Sequence, residues 1–127
     1  MANIQQETHI STQIKEWVST QVFDDTTIDE TKSSPPVNVS NCEAVSLIVE
    51  TSSGVSGGVV KLEGAMSSDY AGTWLELGSI TTAAASKVYG ASVGLGATTG
   101  FPIKFVRARI ETAISGGTVD AYIVTQK

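Results

Sequence analysis

This 127-residue chain holds one cysteine, one histidine, fewer basic than acidic residues and no long apolar run, and each scarcity excludes a class of protein. A lone thiol, Cys42, cannot close an internal disulfide, so the fold does not depend on an oxidising compartment. One Cys and one His cannot furnish the closely spaced ligands of a zinc site. They do not make a nucleophile and base either: Cys42 stands in VNVSNCEAVSL beside an apolar segment, where it reads as a small buried or half-buried filler, while His9 lies in the polar stretch MANIQQETHIST. A Ser-His-Asp triad fails on the same ground, because it needs a histidine held in a core pocket. The opening residues lack the basic head and apolar run of a signal peptide, and no later segment approaches the roughly 20 apolar residues of a membrane helix. Synthesis in the cytoplasm without classical export, and with no membrane partner, is the expectation.

With 8 basic residues against 13 acidic ones the net charge is −5, and a surface of that sign repels phosphate backbones, so no nucleic-acid partner is expected. Lys104, Arg107 and Arg109 lie close together, yet Glu111 continues the face of the two arginines, and Glu50, Glu63 and Glu76 offer carboxylates on other strands. The expected result is a charge-paired outer face. Asp24 to Pro36, DDTTIDETKSSPP, lacks the spacing and the glycine of an EF-hand and reads as a solvated acidic loop or linker. Gly90 to Gly100, GASVGLGATTG, lacks the Lys-Ser/Thr ending of a phosphate loop and reads as a loop, mobile or packed on a neighbour. Nothing in the spacing of Glu63, Asp69 and Glu76 marks a glycosidase pair. The chain is expected to bind no metal or cofactor and to be no enzyme.

What is abundant is Val, Ile, Thr, Ser and Gly, a composition that suits strands and turns. Ile14 to Phe23 fits a strand better than a short helix. Val37 and Val39, Ala44 to Glu50, Val59 to Ala65 and Thr73 to Ile80 read as strands, whereas Thr81 to Ala91 is either a helical turn at its alanines or a short strand through Lys87, Val88 and Tyr89. Phe101 to Gln126 reads as a closing hairpin around Ser-Gly-Gly. In it Val106, Ala108 and Ile110 share one face and Phe105, Arg107, Arg109 and Glu111 the other, with Val119, Ala121 and Ile123 alternating likewise. No segment has the length and period of a crossover helix. The chain is therefore expected to be all-β: residues 1–36 form a polar N-terminal arm or strand plus linker, and residues 37–127 a single antiparallel β-sandwich of about seven or eight strands, jelly-roll by first choice.

Two function classes fit such a scaffold. Tyr70, Trp74 and Tyr89, if exposed together, would stack on sugar rings as in carbohydrate-binding or host-attachment modules, against which stands a core or strand-edge role for Trp74 with its indole N–H bonded. The other class comes from likeness. VSLIVE (Val45 to Glu50), the phrase Ser67 to Leu77 (SSDYAGTWLEL) and Val106 to Ile110 (VRARI) leading through a glycine turn to the last strand resemble the layout of small β-sandwich accessory virion proteins of tailed bacteriophages, of the capsid decoration or cement type. That resemblance implies a structural virion protein on the capsid surface, commonly a homotrimer, with the major capsid protein as partner. Ile4, Ile10, Ile14 and Trp17 would then anchor the N-terminal arm to capsid or neighbour, and the Ala-, Ser- and Gly-rich stretch Ala83 to Gly100 would suit a threefold contact.

Overall fold

The structure is a computed structural model that describes residues 17–26, 32–95 and 103–126. Strands run as β1 (Trp17–Thr26), β2 (Lys32–Ser33), β3 (Val37–Asn38), β4 (Ala44–Thr51), β5 (Gly57–Ala65), β6 (Leu75–Thr81), β7 (Val88–Gly94), β8 (Phe105–Ser115) and β9 (Val119–Gln126). One sheet has the order β1-β9-β4-β7, the other β2-β8-β5-β6 with β3 also on β8, and every pairing is antiparallel. Counting β2 and β3 as one interrupted strand, the first strand pairs with the last, the second with the seventh, the third with the sixth and the fourth with the fifth. That nesting is the jelly roll, as expected from the sequence. The region before Val37 supplies β1 to one sheet and β2 to the other.

Alternation explains the core. Val45, Leu47 and Val49 of β4, Val60 and Leu62 of β5, Val106, Ala108 and Ile110 of β8, and Val119, Ala121 and Ile123 of β9 are all buried between the sheets. Each fully buried Val, Leu or Ile stabilises the fold by about 1.5–3 kcal/mol. Cys42 is half-buried against this cluster, in the filler position its sequence context suggests.

The closing hairpin is not formed. β8 pairs with β5, β2 and β3 in the second sheet, and β9 pairs with β1 and β4 in the first, so Ser115-Gly116-Gly117 carries the chain across the sandwich. Alternation identifies which side chains point inward, but two consecutive strands with apolar inner faces satisfy it equally side by side or face to face. The crossing is set by a close approach of two loops. Gly54 and Gly116 both have positive φ, 97° and 82°, and a Cβ on Gly54 would lie 2.6 Å from the Gly116 carbonyl oxygen, so neither position accepts a side chain without displacing the other loop.

Pro35 and Pro36 interrupt the strand formed by β2 and β3, because proline offers no N–H to β8. Pairing shifts by one residue across the gap, from Ser33 opposite Arg109 to Val37 opposite Val106. Ser34, which is buried, fills it: its N–H donates to the Ala108 carbonyl, and its hydroxyl oxygen accepts the Ala108 N–H at 2.9 Å.

Candidate functional site

The outward side of the second sheet is closed by charge pairing. Lys61 on β5 reaches both Glu76 on β6 and Glu111 on β8. Glu63, two residues on and 5% exposed, accepts from Arg107 Nε at 3.1 Å and from Arg109 Nε at 2.9 Å. Register explains this, since Glu63 stands opposite Arg107 and Lys61 opposite Arg109 on the shared face. A bulge between Leu62 and Glu63 in the β5–β6 pairing accompanies the diagonal reach of Glu76 to Lys61. The Glu111 hydrogen bond, followed by that of Glu76, raises the Lys61 pKa, and the Lys61 hydrogen bond lowers that of Glu111. Of the carboxylates the sequence offered to the arginines, Glu63 takes both, whereas Glu50 lies on β4 in the other sheet and cannot reach them.

Trp74 covers one end of this network. It is 5% exposed, its ring lies under the Arg107 guanidinium at 4.1 Å, and its Nε1–H donates to the Tyr70 carbonyl at 2.9 Å. Tyr70 is in the loop between β5 and β6. Tyr89 is the second residue of β7, at the opposite end of the sandwich, where its hydroxyl accepts the Ala84 N–H at 3.0 Å and Lys87 lies over its ring. The three aromatic residues considered for sugar stacking are not brought together.

The outward side of the first sheet has another composition. Across the register, Ser19, Val124, Ser46 and Ser92 form one row, and Gln21, Tyr122, Ile48 and Gly90 the next. Glu50 and Asp120 stand together at one end beside Val88, and Trp17 at the other. Ile48, Tyr122 and Val124 are half-buried, while Val88 and Trp17 are 62% and 58% exposed. A shallow groove of ≈ 270 Å³ runs between Ser19, Ile48, Glu50, Tyr122 and Val124. That is below the roughly 300–1,000 Å³ of small-molecule sites, and its shape suits a protein surface laid across it. Among the described residues no third layer covers this face.

Trp17, one of the proposed anchors, is the first residue of β1 and contributes to this face, whereas Ile4, Ile10 and Ile14 lie outside the described residues, as does His9. Ile48, Tyr122, Val124 and Val88 were not singled out from the sequence. A signal was present: AVSLIVE is apolar on both of its faces at Leu47 and Ile48, where a strand with one solvated face would alternate. Gly90 to Gly94, expected to be loop, belong to β7, because each pairs with a β4 residue and the Ile48 side chain reaches the space over Gly90. Among the described residues no group of three or more His, Cys, Asp or Glu is placed to hold a metal ion.

No protein-family model and no curated protein matches the sequence. Solved structures do match its shape. The SPBc2 prophage-derived protein YomS is similar at a TM-score of 0.59 with 10% identity, over 91% of this chain and 96% of that one. The K1 cleaved adhesin domain of Lys-gingipain from Porphyromonas gingivalis W83 is similar at 0.55 with 15% identity, over 87% of this chain and 73% of that one. At such identities the likeness establishes the shared β-sandwich.

Proposed function

We propose that this protein is a non-catalytic structural component of a phage-type virion, which binds the outside of the capsid and stabilises it through capsid contacts and self-association. The observation that carries the reading is the charge-poor outward face of the first sheet, where Ile48 and Val124 are half-buried, Trp17 and Val88 are exposed, and no third layer lies among the described residues. An aromatic and aliphatic centre with charge confined to one end is the pattern of a protein-binding surface. The jelly roll, shared with a prophage-derived protein and with adhesin domains, supplies a rigid body for such a surface. In this reading the major capsid protein lies on the Ile48–Tyr122–Val124 face, and the segment before Trp17 extends the contact.

The test is co-sedimentation of the purified protein with capsids of the phage that encodes it, with a glycan array run alongside. Wild type is expected to pellet with the shells and to raise their rupture temperature, and Ile48→Glu with Val124→Lys to abolish pelleting while the melting transition stays near wild type. A protein that leaves capsids unbound, or that binds glycans through Tyr70 or Tyr89, overturns the proposal.

A further inference from the structure

The sandwich has four edges, and three of them are blunted against further strand pairing. β1 is irregular where it pairs with β9, with register shifts around Phe23. β6 carries a bulge against β5, and its Glu76 is tied into the charge network. β2 and β3 are separated by Pro35 and Pro36. Bulges, charges and prolines are the devices by which proteins keep sheet edges from adding a foreign strand. β7 has none of them. VYGASVG contains no charge and no proline, and it pairs with β4 in unbroken register from Ala44 opposite Gly94 to Glu50 opposite Val88.

The orientation of the free backbone groups follows from the hydrogen bonds that bracket this ladder. Leu95 N–H donates to the Glu43 carbonyl at 2.8 Å and Thr51 N–H to the Lys87 carbonyl at 2.9 Å. In an antiparallel pair the residues that exchange bonds recur at every second position, so Lys87, Tyr89, Ala91, Val93 and Leu95 turn their N–H and C=O groups toward β4. Val88, Gly90, Ser92 and Gly94 turn theirs outward, where no described strand meets them.

We infer that β7 is a self-pairing edge and that its occupant is β7 of a second copy, antiparallel about a twofold axis at Ala91. This arrangement is self-complementary. Val88 exchanges backbone bonds with Gly94 of the second copy and Gly90 with Ser92, so every outward backbone group of the strand is used. On the solvent side Val88 stands over a glycine and Ser92 over a glycine, which leaves room for both chains, and no like charges oppose one another because the strand has none. Pairing with β1, β6 or β2–β3 of a neighbour would meet the bulges and prolines that β7 lacks, which favours the twofold over a ring of unlike edges. The product is one continuous sheet, β1-β9-β4-β7 joined to the same order reversed, whose charge-poor outward face is doubled in extent. The inference stands apart from capsid binding.

The experiment is light scattering on the full-length protein across a concentration series, together with amide hydrogen exchange. A dimer is expected, with the amides of Val88, Gly90, Ser92 and Gly94 protected at high concentration and exchanging freely on dilution. Gly90→Pro removes one outward donor, and Ser92→Lys sets like charges near each other across the axis; each is expected to weaken the dimer at least tenfold. Ser92→Lys decides the matter if the proline variant does not fold, because residue 92 is exposed. A monomeric or trimeric wild type, or a dimer that survives Ser92→Lys with these amides unprotected, overturns the inference.

Discussion

The two outward faces of this sandwich are made by the same kind of strand and finish in opposite states. On the second sheet Glu63 takes two guanidiniums, Lys61 takes two carboxylates and Trp74 lies beneath Arg107, so the face is completed by its own side chains. On the first sheet Ile48, Tyr122 and Val124 stand half-buried next to exposed Val88 and Trp17, and among the described residues no third layer lies over that sheet. A face satisfied internally has little to offer a partner, since binding there would first break charge pairs already made. A face with aliphatic and aromatic groups left at the surface gains by being covered. Under the proposed function stability and recognition are thus divided between the sheets, and the division can be attacked from either side.

The largest effect is expected at Glu63. Glu63→Ala leaves Arg107 and Arg109 without their shared acceptor beside the buried Trp74, and a loss of about 3 kcal/mol is expected by urea denaturation, with capsid binding by the remaining folded protein unchanged. If the loss is below about 0.5 kcal/mol the network is only a surface pairing, and the contrast between the faces weakens. Ile48→Ser on the other face is expected to cost about 1 kcal/mol or less, because the side chain is already half in water, yet to reduce capsid pelleting strongly. The smallest effect concerns Lys61 and Glu111. Glu111 is held below its ordinary pKa by the Lys61 hydrogen bond, so its stabilising contribution is present above about pH 4.3 and is lost as pH falls through the lowered folded value. Lys61 is raised, so its contribution is present below about pH 10.4 and is lost as pH climbs through the raised value. Thermal melts of Lys61→Met are expected to show a shallower fall on the acid side than wild type.

Strand faces were readable from alternation alone: Val106, Ala108, Ile110, Val119, Ala121 and Ile123 are all buried, and Arg107 and Arg109 do find a glutamate partner. Sheet partners were not readable in the same way. The run from Phe101 to Gln126 looks like a hairpin because a glycine turn joins two alternating strands, and only long-range pairing and the contact between Gly54 and Gly116, residues 62 positions apart in the chain, show that the turn crosses the sandwich. The self-pairing edge was hidden for a related reason. Gly90 and Gly94 suggest a loop locally, and it is β4, more than forty residues earlier, that holds them extended. The apolar outward face fell between these cases: Ile48 announced it within its own strand, but Tyr122 and Val124 join it only through the register of β9 on β4.

The loop contact at Gly54 and Gly116 also marks the end of the sandwich where the two sheets are tied to each other. At that end Thr118 N–H donates to Ser52 Oγ, Ser52 N–H to the Thr118 carbonyl, Ser56 N–H to the Ser115 carbonyl and Ser86 N–H to the Ser52 carbonyl, so the three connecting loops are laced together. At the far end, among the described residues, backbone bonds from Val39 to Lys104, Lys104 to Ala65, Glu43 to Gln126 and Leu95 to Glu43 join segments that flank strands of the same sheet. Cys42 lies at that far end, half-buried against the core, so its thiol is a clock for local opening there: a labelling reagent is expected to react with it more slowly than with an exposed thiol, at a rate that the opening sets.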